Sequence, residues 1–120
     1  MRFSVLLPGI LFLLSCHRGG TGGDATITLS VKHHTLPIPG STVYVKYGSS
    51  VFPGGDPSNY DDSKITDANG VAVFPGLLNG KYYFYGVGYD STGNFPVDGG
   101  MKLRVSSGND ESEVLQVTED

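Results

Sequence analysis

Beyond residue 24, apolar and polar side chains trade places at every second position, and each alternating run is soon cut by glycine, proline or an Asn/Asp turn. A period of two sends successive side chains to opposite faces of an extended strand, whereas a helix needs a period of about 3.6 sustained over roughly ten residues. In residues 25–33, Ile27, Leu29 and Val31 face one way, and Thr26, Thr28, Ser30 and Lys32 face the other. Residues 41–47 repeat the pattern, with Val43, Val45 and Tyr47 set against Thr42, Tyr44 and Lys46. Shorter or similar runs at 63–66, 71–74, 81–89, 101–105 and 112–118 complete a set of seven strands. Seven short strands in about 95 residues is the spacing of a two-sheet sandwich in one small domain.

The punctuation agrees. The chain carries 18 glycines and 7 prolines, which disfavour helix interiors. Leu36-Pro37-Ile38-Pro39-Gly40 reads as a turn, because proline cannot donate to a strand ladder. Asp67-Ala68-Asn69-Gly70 reads as a tight turn, with Asp67 bonding to backbone ahead of it and Gly70 supplying a left-handed conformation. Two connections are longer: residues 48–62 and the polar stretch 90–100. A loop as long as the first is more than a compact domain needs and is usually functional or disordered.

The first residues follow different rules. Arg2 precedes an uncharged apolar run from residue 3 to residue 14, interrupted by Pro8-Gly9. A membrane-spanning helix needs about 20 such residues, so this run suits a cleaved targeting segment. It ends Leu13-Leu14-Ser15-Cys16, which resembles the bacterial lipobox. That resemblance implies a signal peptide over residues 1–15 and a lipid on Cys16. Cys16 is the single cysteine in the chain, so it has no intramolecular disulfide partner. Each buried CH₂ of an acyl chain contributes about 0.8 kcal/mol, and two or more chains anchor a protein stably. Residues 16–24 then read as the lipidated cysteine and a flexible glycine-rich spacer, with the folded domain at 25–118. The expected location is the cell envelope, at the outer membrane or cell surface.

A formal net charge of −4 argues against nucleic acid, which calls for a basic face. No serine or histidine sits in a nucleophile motif, and no glycine-rich stretch joins a strand to a helix as a phosphate cradle would. The expectation is a non-enzymatic chain with no cofactor and no metal.

Pro39-Gly40-Ser41-Thr42-Val43-Tyr44-Val45, followed by Thr66-Asp67-Ala68-Asn69-Gly70-Val71-Ala72-Val73-Phe74 and then Leu77, Leu78, Gly80 and Tyr82, resembles the carboxypeptidase-regulatory-like and CnaB-like group. These are transthyretin-type (prealbumin-like) Greek-key β-sandwiches. The resemblance implies that Phe74 and Leu77 plug one end of an all-β, seven-stranded sandwich, and that Tyr82 and Phe84 fill its core. Some CnaB-like domains carry a Lys–Asn isopeptide crosslink. Lys32 offers the first half, but residues 112–118 contain no asparagine. The transthyretin-related hydrolase has a tyrosine-rich C-terminal motif, which is missing from the end Gln116-Val117-Thr118-Glu119-Asp120.

Candidate sites follow from the same parity. With Tyr82 and Phe84 inward, Tyr83 and Tyr85 lie outside and Val87 and Tyr89 continue their row. An exposed aromatic row serves protein or sugar recognition, although tyrosine also simply suits exposed strands. Phe52 and Tyr60 in the long loop, and Phe95 in the stretch 90–100, extend the candidate surface. His33 and His34 are adjacent, so strand geometry sends them to opposite faces and they read as solvated strand-end residues. Asp56, Asp61 and Asp62 are the kind of carboxylates a calcium loop uses. The run Asp67-Ala68-Asn69-Gly70 echoes the start of such a loop but lacks its later spacing and terminal glutamate, and a tight turn explains it. The functional expectation is a lipid-anchored binding or accessory module. The alternatives are a structural subunit of a pilus or envelope complex, or a carbohydrate-binding module. The expected partners are the membrane, through Cys16, and a protein or glycan.

Overall fold

A computed structural model of the protein describes residues 19–106 and 108–119. Cys16 and the expected signal peptide lie outside the described residues. The strands are β1 (Thr21–His33), β2 (Leu36–Pro37), β3 (Thr42–Tyr47), β4 (Asp62–Ile65), β5 (Val71–Leu77), β6 (Gly80–Asp90), β7 (Phe95–Val105) and β8 (Glu111–Glu119). The seven expected strands are all present, and β2 is an addition. Pro37 does not block it, because the pairing needs only the short register Lys32↔Pro37 and His33↔Leu36 at an edge.

The fold is an all-β sandwich. In one sheet β1 is central, with β5 and β2 along one edge and β8 parallel to it along the other. The other sheet runs β4-β3-β6-β7 through antiparallel pairs. The two sheets join at one corner, where Val97 pairs with Glu119 and Asp98 with Thr118. The opposite side opens between the edge strands β4 and β5. Edge strands expose unpaired backbone and invite aggregation; here β4 is short and carries Asp62 and Lys64, and β5 carries Pro75.

Ile27, Leu29, Val31, Val43 and Val45, inward by alternation, and Phe74, Leu77, Tyr82 and Phe84, inward by the resemblance, are all buried, as are Leu115 and Val117. Tyr47 is partly buried against them. The Phe74 and Phe84 rings meet at 5.2 Å, within the range that favours tilted aromatic pairs. At the Asp67 turn, the carboxylate accepts from the backbone N–H of Asn69 at 2.8 Å and of Val71 at 3.0 Å, and Gly70 has φ 78°. Lys32 lies outward on β1 opposite Gln116, while the inward positions of β1 from Ala25 to Val31 are aliphatic.

Three connections differ from expectation. The polar stretch 90–100 is not a loop: β7 starts at Phe95, leaving a four-residue hairpin turn over 91–94. Asp90 organises it, because its Oδ1 accepts from the Thr92 N–H at 2.9 Å and the Thr92 hydroxyl at 2.5 Å. Strand β5 continues through Pro75-Gly76 to Leu77 at the sheet edge. Finally, the spacer is shorter than its composition implies. Residues 21–24 belong to β1, and both Thr21 and Ala25 pair with Leu77, so the intervening residues bulge around it. A Cβ on Gly23 would lie 2.2 Å from the Leu77 carbonyl oxygen. Glycine is required there by a backbone contact, which flexibility alone would not demand.

Candidate functional site

Alternation along β6 and β3 builds one outward face from two strands. Tyr85 stands opposite Tyr44, and Tyr83 opposite Lys46, in the β3–β6 register. On the other side of β6, Tyr85 faces Gly100 and Tyr83 faces Lys102. A Cβ at Gly100 would sit 2.5 Å from the Tyr83 hydroxyl, so the absence of a side chain there lets the ring lean across β7.

The long loop folds back onto this face. Asp61 N–H donates to the Val45 carbonyl at 2.9 Å, and the Asp61 carboxylate accepts from the Tyr47 N–H at 2.7 Å. Asp56 caps a single 3₁₀ turn, Pro57–Asn59, by accepting from the Ser58 N–H at 3.0 Å and hydroxyl at 2.9 Å. Those two bonds hold the Asp56 carboxyl below its ordinary range. The Tyr60 hydroxyl donates to the Gly54 carbonyl at 2.7 Å, and Asn59 donates to the Pro53 carbonyl at 2.9 Å. The loop is therefore an ordered flap, secured by its own turn chemistry.

Its aromatic residues meet those of the sheet. Tyr60 stacks on Tyr85 at 6.0 Å with an interplanar angle of 11°, and also meets Tyr44 at 5.5 Å. Phe52 lies 5.1 Å from the Tyr85 ring and 5.8 Å from Tyr83. The Tyr85 hydroxyl donates to Asp98 at 2.5 Å. Four of the five expected residues thus converge: Phe52, Tyr60, Tyr83 and Tyr85. Tyr44 is a member that parity placed on the outside but that was not singled out; its direct opposition to Tyr85 depends on a register the sequence does not reveal.

Burial under the flap, and secondarily Tyr83, pushes the Tyr60 hydroxyl up to about 12. Tyr60 therefore stays neutral throughout the physiological range. Phe52 remains 48 % exposed and Val51 at the loop tip 71 %. The surface offers aromatic faces, a hydroxyl rim and a projecting apolar tip. Such a surface binds by contact and desolvation. A shallow cleft of about 380 Å³ adjoins it, lined by Ser50, Lys81, Lys102, Leu103 and Arg104.

Phe95 is not part of this surface. It is half-buried at the other end of the sandwich, where its ring meets His33 edge-on at 5.4 Å. The β6–β7 hairpin, tighter than expected, turns it inward instead of offering it on a loop. His33 also departs from expectation: it is 5 % exposed, and its Nδ1 lies 2.8 Å from Asp90 Oδ2. Hydrogen bonds from Thr92 first, then His33, hold the Asp90 carboxyl down to about 2.

No protein family and no curated protein matches this sequence. Among solved structures, the chain is similar to BcpA, the major pilin subunit of Bacillus cereus, with a TM-score of 0.54 over 79 % of this chain. The shared feature is the fold. Sequence identity is 13 %, and the match spans 30 % of the pilin chain. The likeness agrees with the sandwich expected from the alternation and from the CnaB-like pattern.

Proposed function

We propose that this chain is a lipid-anchored, non-catalytic module of the bacterial cell surface that holds a partner protein against the aromatic face of its second sheet. The observation that carries this reading is the flap: an ordered loop presents Phe52 and Val51 outward while locking Tyr60 and Tyr85 beneath them. Burying half-exposed aromatic side chains at the centre of a contact contributes much of the affinity of protein interfaces.

The anchor reading supports the same picture. Gly20 is docked on the sandwich, so three residues, 17–19, separate it from Cys16. At roughly 3.5 Å per residue, a lipid on Cys16 would hold this end of the sandwich close to the membrane surface. Lys81, Lys102 and Arg104 line the cleft at the same end, where their charges suit anionic headgroups.

A second reading, a structural subunit of a surface assembly, is favoured by the fold shared with a pilin subunit and by the open edges β4 and β5. Photo-crosslinking from position 52 in intact cells discriminates. The partner reading expects a crosslink to a different envelope protein, weakened by Tyr85→Ala. Crosslinks only between copies of this chain would favour the assembly reading. Crosslinks to neither would remove both, and binding to purified surface glycans would replace them with the carbohydrate reading.

A further inference from the structure

Adjacent strand residues diverge, yet the rings of His33 and His34 lie 4.4 Å apart, centroid to centroid. The reason is local. His33 is the last residue of β1, and His34 opens a two-residue turn with φ 58°. This left-handed conformation is uncommon outside glycine and swings His34 back beside its neighbour. The turn is held from outside, since the Gln116 side-chain amide donates to the His34 carbonyl at 3.1 Å. Parallel pairing of β8 with β1 then brings the end of β8 to the same place, with His33 opposite Val117. One ligand atom each from His33, His34 and Glu119 lies within 4.8 Å of the other two.

His33 has an unfinished arrangement. Its Nδ1 meets Asp90 Oδ2 at 2.8 Å, so the carboxylate fixes the ring's orientation and turns Nε2 towards Glu119. Nε2 is buried and has no hydrogen-bond partner; Glu119 Oε1 is 3.6 Å away. A buried, unpaired polar atom is costly. A carboxylate that orients an imidazole, with the other nitrogen aimed at a cluster of donors, is how proteins support a metal-binding histidine.

We propose that His33, His34 and Glu119 bind a divalent zinc-class cation, with Asp90 positioning the His33 ring. Two imidazoles and one carboxylate suit zinc better than hard cations such as calcium or magnesium, which take mainly oxygen ligands. Tetrahedral zinc ligands at about 2.1 Å from the metal lie about 3.4 Å apart, so donor atoms now within 4.8 Å of one another must close by up to about 1.4 Å through side-chain rotation. His34 and Glu119 are exposed and free to do so. Three protein donors leave a coordination position for water or a partner's side chain. The site sits at the pole of the sandwich opposite Gly20, facing away from the membrane if Cys16 is lipidated.

The test is calorimetric titration of zinc into the metal-free, untagged protein at neutral pH, with the visible spectrum of added cobalt as a second readout. The proposal expects one zinc per chain, undisturbed by excess calcium or magnesium. His34→Ala and Glu119→Gln, both on the surface, should each weaken binding about tenfold or more while the far-UV spectrum stays that of the parent. Asp90→Asn should weaken it about 10–100-fold, as loss of an orienting carboxylate does. His17→Ala should bind zinc as the parent does. No zinc binding by the parent, undiminished binding by folded His34→Ala and Glu119→Gln, or loss of binding in His17→Ala would each overturn the site.

Discussion

Tyr82 and Gly20 are tied together although 62 residues separate them: the Gly20 N–H donates to the Tyr82 hydroxyl at 2.8 Å. The same hydroxyl donates to the Leu78 carbonyl at 2.6 Å, with the Gly20 carbonyl at 3.0 Å as the alternative acceptor. Burial pushes the Tyr82 hydroxyl above its ordinary range. One side chain in the core therefore fixes where the N-terminal segment enters the fold. Tyr82→Phe keeps the ring and removes the knot. It should cost about 1–3 kcal/mol, the range for orphaning buried polar groups. For a domain of this size each kcal/mol lowers Tm by about 4–8 °C. Urea denaturation, with amide exchange at Gly20, measures both effects.

Gly23 tests whether the glycine tract is structure or tether. A tether would tolerate Gly23→Ala without change. The contact with the Leu77 carbonyl predicts overlap instead, with a loss of about 1–3 kcal/mol. Equilibrium denaturation of the single variant decides between them.

The flap has an alkaline signature. The Tyr60 pKa is raised in the folded protein from 10.0 to about 12. The unfolded chain therefore loses this proton first as pH rises. The stability contribution is fully present below pH 10 and is lost as pH climbs towards 12. Tyr60→Phe should flatten this limb of the stability profile. Tyrosinate absorbance and urea midpoints across that range are the measurements.

Phe52→Ala should cost about 1 kcal/mol of stability, because half of the side chain is buried against Tyr85 and Tyr83, and should leave the fold intact. It should weaken partner capture by about tenfold, as an interface anchor does. A co-purification assay from solubilised envelopes reads it, and full retention of capture would displace the flap as the docking element.

Cys16→Ser should release the protein from membrane fractions without unfolding the sandwich, whose described residues begin after it. Fractionation followed by circular dichroism checks both halves. A variant still bound to membranes would refute the lipid anchor.

Much of the fold was legible because sandwich parity is a local property. Ile27, Leu29 and Val31, or Tyr82 and Phe84, declare their face by position alone, and Asp67 and Gly70 declare their turn by chemistry. Non-local pairing was not legible. Gly23 is glycine because Leu77 passes close by, and the same residue in an isolated peptide would be a flexible link. Residues 90–100 look like a polar loop because Asp98, Gly99 and Gly100 are poor strand formers. Pairing with β6 nonetheless makes them strand.

The sequence by itself determined that the chain is all-β, which side of β1, β3 and β6 is buried, and that Tyr83 and Tyr85 share an outer face. Period-two alternation needs no knowledge of neighbours. Only the tertiary structure decided which outward residues meet. It laid Phe52 and Tyr60 on Tyr85, turned Phe95 inward, and joined the tract from Gly20 to the core. It also folded His34 back beside His33 and delivered Glu119 to them on a parallel strand. These placements depend on register and on one left-handed turn, and both are set by contacts between residues far apart in the chain.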